Sequence, residues 1–339
     1  MIGLASLVPL RAAPIVLTVD AGSSSATTVI TDNGEAEGEA EASGQLLGQV
    51  TLHPVTRKPQ TFRFDGGSLT YSDNTSQYTP NMLPAVEDLE LTGTGLAASL
   101  RSANGLPPVD PVTGIIDNAY HVQTLDAGTL RTVYRLSFFG NWTTIADETT
   151  DFAATPQTNG FTGTTTLSAT LLATGPLLER HRIVLTHLAD ESPMVNTDFG
   201  ITLTTVSSGG FTARGETLVP NAAFQTWILA AGAIEPISPE TRLGNIPGAV
   251  LYALGLPSAA RDLPWELDAT ANTLTLHVPA GGTHAPVRVE HSTELNGWQT
   301  LTLPGGGTEL SIGSSGTVVI PLPADSRGFC RLAVVAAAP

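Results

Sequence analysis

A single lysine, Lys58, and a single cysteine, Cys330, stand in a chain of 339 residues. One cysteine excludes an intrachain disulfide framework. It does not fix the compartment, because secreted proteins can also rely on their cores alone. Basic residues number 15 against 31 acidic ones, which gives a formal net charge of −16 and no basic cluster. Displacing counterions from phosphate takes gathered cations, so no nucleic-acid partner is expected, and anionic membrane surfaces are disfavoured on the same ground. Aromatic residues make up only 6% of the chain, which leaves few platforms for stacking on sugar rings. Also missing are a G-x-S-x-G nucleophile elbow, an H-E-x-x-H zinc motif, a phosphate-binding P-loop and a G-x-G-x-x-G fingerprint. No reaction is therefore indicated and no cofactor is expected.

What the chain does have is a 41% apolar fraction, 34 glycines and 24 prolines. That is enough apolar side chain for real cores, cut by many turns. Ile2–Leu10 is a short apolar run followed by Arg11-Ala12-Ala13-Pro14. It reads as the back half of a secretory signal peptide, without the charged leading region, and is far too short to span a bilayer.

From Pro14 to Asn221 β-branched and alternating segments dominate, among them Ile15–Asp20, Thr27–Thr31, Thr61–Phe64, Val86–Leu91, Leu96–Ser102, Tyr120–Thr124, Leu130–Phe139, Thr162–Thr174 and Ile183–Leu188. Breaks are expected at Asp32-Asn33-Gly34 and at Gly93, and Asn104–Gly114 reads as a long loop. No 3.6-residue periodicity appears in this stretch, which predicts one large β-sandwich or barrel. The texture changes at Asn221. Ala222–Ile234 has good helix formers behind Asn221 as N-cap and is stopped by Pro236 and Pro239; Pro247–Leu256 reads as a second short helix with Gly255 near its end. From Ala259 six or so short strands return, as a small β-sandwich. The predicted class is all-β: residues 1–13 a signal remnant, 14–221 a large β domain, 222–258 a two-helix joint, 259–339 a small β-sandwich.

The last third carries motifs in a particular order: Trp227 on the first helix, Tyr252-Ala253-Leu254-Gly255 on the second, then Val289-Glu290-His291-Ser292-Thr293-Glu294-Leu295 with Trp298, and finally Arg327-Gly328-Phe329-Cys330-Arg331-Leu332. Residues 224–335 thereby resemble the C-terminal helix-joint and β-module of secreted and surface proteins of verrucomicrobial-type bacteria. The resemblance implies an extracytoplasmic address. It also implies an aspartate-rich, calcium-binding loop before the second helix. Here that loop is Glu240–Gly248, with Arg242 and Leu243 where acids would stand and Leu251 in place of a glutamate. Calcium needs six to eight oxygens, so the loop is expected to be degenerate and to hold no metal.

Candidate chemistry elsewhere is sparse. Glu35, Glu37, Glu39 and Glu41 alternate and would share one strand face, expected to be solvated. His181 and His187 lie on one strand about 20 Å apart, too far for one ion. His277, His284 and His291 recur every seven residues and are expected at the surface. Cys330, in an apolar strand, is expected to be structural. Of the aromatics that could meet a sugar (Tyr71, Tyr78, Tyr120, Tyr134 and Trp142), Tyr120 and Trp142 are the candidate binding residues. The leading expectation is a secreted or cell-surface, non-catalytic β-protein with a binding, adhesion or structural role toward extracellular matrix, a glycan or a protein. The alternatives are a carbohydrate-binding or carbohydrate-modifying protein and a β-barrel carrier of an apolar ligand.

Overall fold

A computed structural model describes residues 15–20, 23–31, 34–53, 55–78, 85–102, 108–198, 201–234, 237–323 and 328–335; within these, backbone alone is described for 23–31, 34–40, 74–78, 85–89, 117–118, 120, 159, 161, 189–198 and 201–208. The expected signal remnant lies outside the described residues. The chain is all-β. Its strands are β1 (Ile15–Val19), β2 (Ser23–Thr31), β3 (Gly34–Leu52), β4 (Pro59–Tyr71), β5 (Asn74–Tyr78), β6 (Ala85–Ser102), β7 (Ile115–Phe138), β8 (Asn141–Asp151), β9 (Gln157–Thr174), β10 (Leu178–Asp198) and β11 (Ile201–Pro220). After helix α1 (Ala222–Ala230) come β12 (Arg242–Leu243), β13 (Ile246–Pro247), helix α2 (Gly248–Ala253), β14 (Trp265–Asp268), β15 (Thr273–Val278), β16 (Val287–Ser292), β17 (Gln299–Thr300), β18 (Gly316–Pro321) and β19 (Phe329–Val334). Backbone contacts divide the chain into two compact units, Pro14–Thr170 with Arg182–Thr217, and Leu171–His181 with Leu218–Pro339.

The first eleven strands make one sheet. Hydrogen-bonded neighbours run β5-β6-β4-β3-β1-β11-β10-β9-β7-β8, β2 bridges β11 and β3, and β6 pairs with β7 as well, so the path rejoins itself. Alternation sorts the faces. In β1, Ile15, Leu17 and Val19 are buried while Val16 and Thr18 are exposed. In β10, Ile183, Leu185 and His187 are buried with Arg182 and Leu188 outside.

Two strands are longer than their sequences suggest. The expected break at Gly93 does not occur. β6 runs through it against Leu130 of β7, and the irregularity sits further on, between Thr94 and Ala98, where Gly128 of β7 takes φ +87°. A bulge absorbs the extra residue without ending the ladder. For the same reason the two segments read as Tyr120–Thr124 and Leu130–Phe139 are one strand, β7.

The other unit is built around two small antiparallel sheets, β14-β15-β18 and β17-β16-β19. Leu274, Leu276 and Val278 of β15, Val287 and Val289 of β16, Ile320 and Leu332 join Phe224 and Ile228 of α1 and Val250, Leu251 and Leu254 of α2 in one core. The cap expected of Asn221 is present, its side chain accepting the Phe224 N–H at 2.7 Å. The helix ends at Ala230 rather than Ile234, because Gly232 takes φ +88°. Asn221 also donates from Nδ2 to the carbonyls of Gly175 and Pro176, and its N–H reaches Leu177 O. Glu179 Oε1 accepts the Ala222 N–H at 3.1 Å, and buried Leu177 enters the core. These bonds are why Leu171–His181 belongs with the helices. Gly248 opens α2 because a side chain there would meet Ile228 Cδ1 at 2.4 Å.

The residues that carry the family resemblance converge in pairs. Trp227 and Tyr252 stack edge-on at 5.5 Å. Glu290, with its side chain 4% exposed, takes Arg331 Nε at 2.7 Å and Nη2 at 2.6 Å on Oε2, while Arg288 Nε lies 2.7 Å from Oε1. Arg331 also lies 4.2 Å over the Trp298 ring. Motifs that are scattered in sequence thus form one clamp across β16 and β19. Of the three histidines expected at the surface, His277 and His284 are exposed, but His291 is buried. It sits on β16 opposite Cys330 and packs on Gly328, where the inward parity of the strand outweighs the polarity of the ring.

Arg331→Met is expected to lower the unfolding free energy by about 2–4 kcal/mol in chemical denaturation, because it leaves Glu290 buried with one guanidinium instead of two. Adding Glu290→Leu should restore part of that loss; a double variant weaker than the single one would contradict this account of the clamp.

Candidate functional site

The two binding candidates of the sequence fall on one strand system but do not meet. Tyr120 is in β7 opposite Thr162, with its side chain outside the described residues. Trp142 is the second residue of β8, opposite Ser137, roughly 55 Å further along β7 at the usual rise per residue. Among the other aromatics, Tyr134 is buried, and Tyr71 is half-buried with its hydroxyl accepting from Gln123 Nε2 at 2.7 Å. Tyr78 has its side chain outside the described residues, so Trp142 is the member of the set whose ring is seen to face solvent.

Trp142 does not stand alone. β7 and β8 form a hairpin in which Phe138 pairs with Asn141, Ser137 with Trp142 and Leu136 with Thr143. The two-residue loop between them is Phe139-Gly140, at φ +51° and +83°. Positive φ at both positions is the turn whose twist suits a hairpin, and it favours Asn-Gly; a phenylalanine there is sterically unfavourable. Phe139 is nevertheless 91% exposed, and Phe138, Trp142 and Ile145 are each about half exposed. Paired residues share a face, so Phe138 with Asn141 lies on one side of the ribbon and Trp142 with Ser137 on the other. β8 ends the strand path and is exposed along nearly its whole length. Lower down, Arg131 grips Asp147 through both carboxylate oxygens, at 2.8 and 2.6 Å, and holds the Asp147 carboxyl below its usual range. Arg135 Nη2 reaches Glu90 at 3.1 Å. The ribbon is thus tied by ions at its base and apolar at its end.

The buried polar groups of the same unit are of another kind. His121 of β7 and His187 of β10 meet edge-on at 4.7 Å, among Phe62, Phe64 and Phe211. His187 Nδ1 shares a 2.9 Å hydrogen bond with buried Thr165. His121 Nδ1 lies 3.4 Å from Ser102 Oγ, which accepts the Phe64 N–H. Burial pushes His121 down to about 4. Burial, and then the neighbouring His121 charge, push His187 to about 3. Both rings are neutral near pH 7 and act as polar core. His187 was visible in the sequence only as half of a pair with His181; its real neighbour, His121, has the inward parity of β7 but no other signal. His181 sits instead beside Glu179, with its Nε2 at 3.2 Å from Oε2.

Among the described residues, no group of three or more His, Cys, Asp or Glu side chains is gathered as a metal ion would require. The loop Glu240–Gly248 is folded into the β12–β13 hairpin, closed by Gly248 N–H on Thr241 O, with Arg242 Nη1 donating to Asn245 O at 3.0 Å. A guanidinium therefore caps the loop's own carbonyl. Four carboxylates were read as a row on β3. Glu41 is exposed, and the side chains of Glu35, Glu37 and Glu39 lie outside the described residues. Cys330 is half-buried, and burial raises its thiol, the reverse of what a nucleophile needs. Among the described residues no helix is long and apolar enough to cross a membrane. No family model, curated protein or solved structure matches the chain.

The histidine pair makes acid sensitivity measurable. Both groups titrate lower in the folded state than the ordinary 6.5 of the unfolded chain, so the unfolded chain binds more protons below that value. Their contribution is intact above pH 6.5 and is lost as pH falls toward 4 and then 3. The slope of unfolding free energy from this pair should approach about 2–3 kcal/mol per pH unit near pH 5. Denaturant melts of His121→Leu between pH 4.5 and 7 should show about half that slope; an unchanged slope would remove the pair as its source.

Proposed function

We propose that this chain is a non-catalytic binding protein of the cell exterior, secreted or held at the surface, which makes contact through the end of the β7–β8 hairpin. The observation that carries this reading is the exposure of Phe138, Phe139 and Trp142 together, with Phe139 held in a backbone conformation unfavourable to it. Two half-exposed aromatics and a third, Phe139, almost fully exposed on a backbone that would be more stable with asparagine, point to selection for contact. The acidic composition and the resemblance of residues 224–335 to modules of secreted proteins support the exterior address. In this reading the C-terminal unit is a spacer or attachment module, held by the Glu290 clamp.

A glycan partner is the second reading, favoured by the half-exposed Trp142 ring. A carrier of apolar ligand has less support, since the rings of Phe62, Phe64, His121, His187 and Phe211 contact one another where a ligand would have to lie.

Fractionation of cells expressing the tagged full chain should place it outside the cytoplasm. The combined variant Phe138→Ser, Phe139→Asn, Trp142→Ser should keep its melting point and lose most of its retention on whole cells. Recovery in the cytosol alone would defeat the address, and equal retention of the variant would defeat the hairpin end. A glycan array whose hits vanish in Trp142→Ala would favour the second reading.

A further inference from the structure

We infer that the partner of the β7–β8 hairpin end is the interface of a neutral, zwitterionic lipid bilayer, into which Phe138, Phe139 and Trp142 insert; this rests on the binding role proposed above. Four features of the hairpin point there. The first is its charge pattern. Residues 136–146 read Leu-Ser-Phe-Phe-Gly-Asn-Trp-Thr-Thr-Ile-Ala, without one ionisable side chain, and are bounded by Arg135 and Asp147. On the neighbouring strand β6, Ala85 and Val86 stand opposite Phe138 and Ser137, and the first acids, Glu87 and Asp88, stand opposite Leu136 and Arg135. A line of charge therefore crosses the ribbon at the level of residues 135–136, and the described residues of β6, β7 and β8 beyond it are uncharged.

The second feature is depth. From that line to the Phe139-Gly140 loop the strand advances roughly 7–10 Å, which is the depth to which interfacial apolar elements sink into the headgroup and acyl boundary. The third is symmetry. Phe138 projects on one face, Trp142 on the other and Phe139 at the apex, so the apolar surface surrounds the end of the ribbon. A medium that closes round an inserted object covers all three. Trp is also the side chain that best occupies the boundary between water and hydrocarbon, its N–H staying wet. The β7–β8 and β6–β7 ladders satisfy the backbone groups that face one another, and the outer edges of β8 and of the start of β6 stay within reach of interfacial water.

The fourth feature selects the headgroup. The acids beside the charge line, Glu87, Asp88 and Asp147, and the net charge of −16 would be repelled by anionic lipid. Zwitterionic headgroups carry no such penalty, and a quaternary ammonium can lie over the Trp142 or Phe139 ring.

The experiment is flotation of the purified full chain with phosphatidylcholine vesicles, repeated with vesicles containing phosphatidylglycerol, alongside Phe139→Asn and Trp142→Ser. The wild-type chain should float with phosphatidylcholine and less well as phosphatidylglycerol is added. Phe139→Asn should bind about tenfold less or weaker, while its melting point stays level or rises, since asparagine suits the turn. That opposite movement of binding and stability separates insertion from damage to the fold. The lipid proposal is overturned by failure of the wild-type chain to float, by flotation that needs anionic lipid, or by equal flotation of both variants. If the chain does not float yet its retention on whole cells still depends on the hairpin aromatics, the partner is a protein or glycan; the lipid assignment then falls and the binding role stands.

Discussion

The ladder between β6 and β7 is the constraint on which the large unit depends. It runs from Ala85 opposite Phe138 to Ser102 opposite His121, and it is the pairing that joins the two arms of the strand path. Without it β6 and β7 would each present a long bare edge, a liability that proteins otherwise cover or charge. The same ladder sets the register that turns His121 inward beside His187 and places the Phe139-Gly140 loop at its far end. The polar core and the apolar hairpin end are thus two outcomes of a single alignment. A one-residue slip would turn Phe64's neighbour His121 out and carry its flanking residues in.

Closing that path joins chain ends that are far apart in sequence. β1 and β2 pair with β11, Thr18 lying opposite Arg214, whereas most of the other neighbours in the path are consecutive or nearly consecutive strands. Loop-closure entropy must be met before the closing contacts stabilise anything, so slow folding is the physical expectation for this topology. Two neutral histidines in the interior fit a protein that tolerates some loss of apolar burial there. Each has a hydroxyl within reach, Thr165 or Ser102, and aromatic walls, which limits the cost of burying the ring nitrogens.

Much of the architecture was legible in the amino-acid sequence. Alternation of Ile15, Leu17 and Val19 marked a strand, Asn221 marked a helix start, and both signals act locally through side-chain parity and a single cap. Strand lengths were less legible, because Gly93 read as a break while a bulge costs the ladder little when partner strands hold both sides. The candidate site was half legible. Trp142 drew attention as an aromatic that could meet a sugar, but Phe138 and Phe139 read as the end of a strand. Their exposure follows from where β7 ends, which depends on long-range pairing. The roles of Glu290, Trp298 and Arg331 were legible as a motif and not as a mechanism. Only the β16–β19 register brings the carboxylate, the guanidinium and the ring together.

The bonds that tie Leu171–His181 to the start of α1 bear on how such chains can be assembled in evolution. The C-terminal unit includes a hairpin tip that the chain delivers before completing the large sheet. A recombination joint placed at Leu218 would leave behind Leu177, which fills the core, and Glu179 and the Gly175 and Pro176 carbonyls, which hold the helix start. The unit therefore cannot be passed whole from one gene to another as a single contiguous cassette.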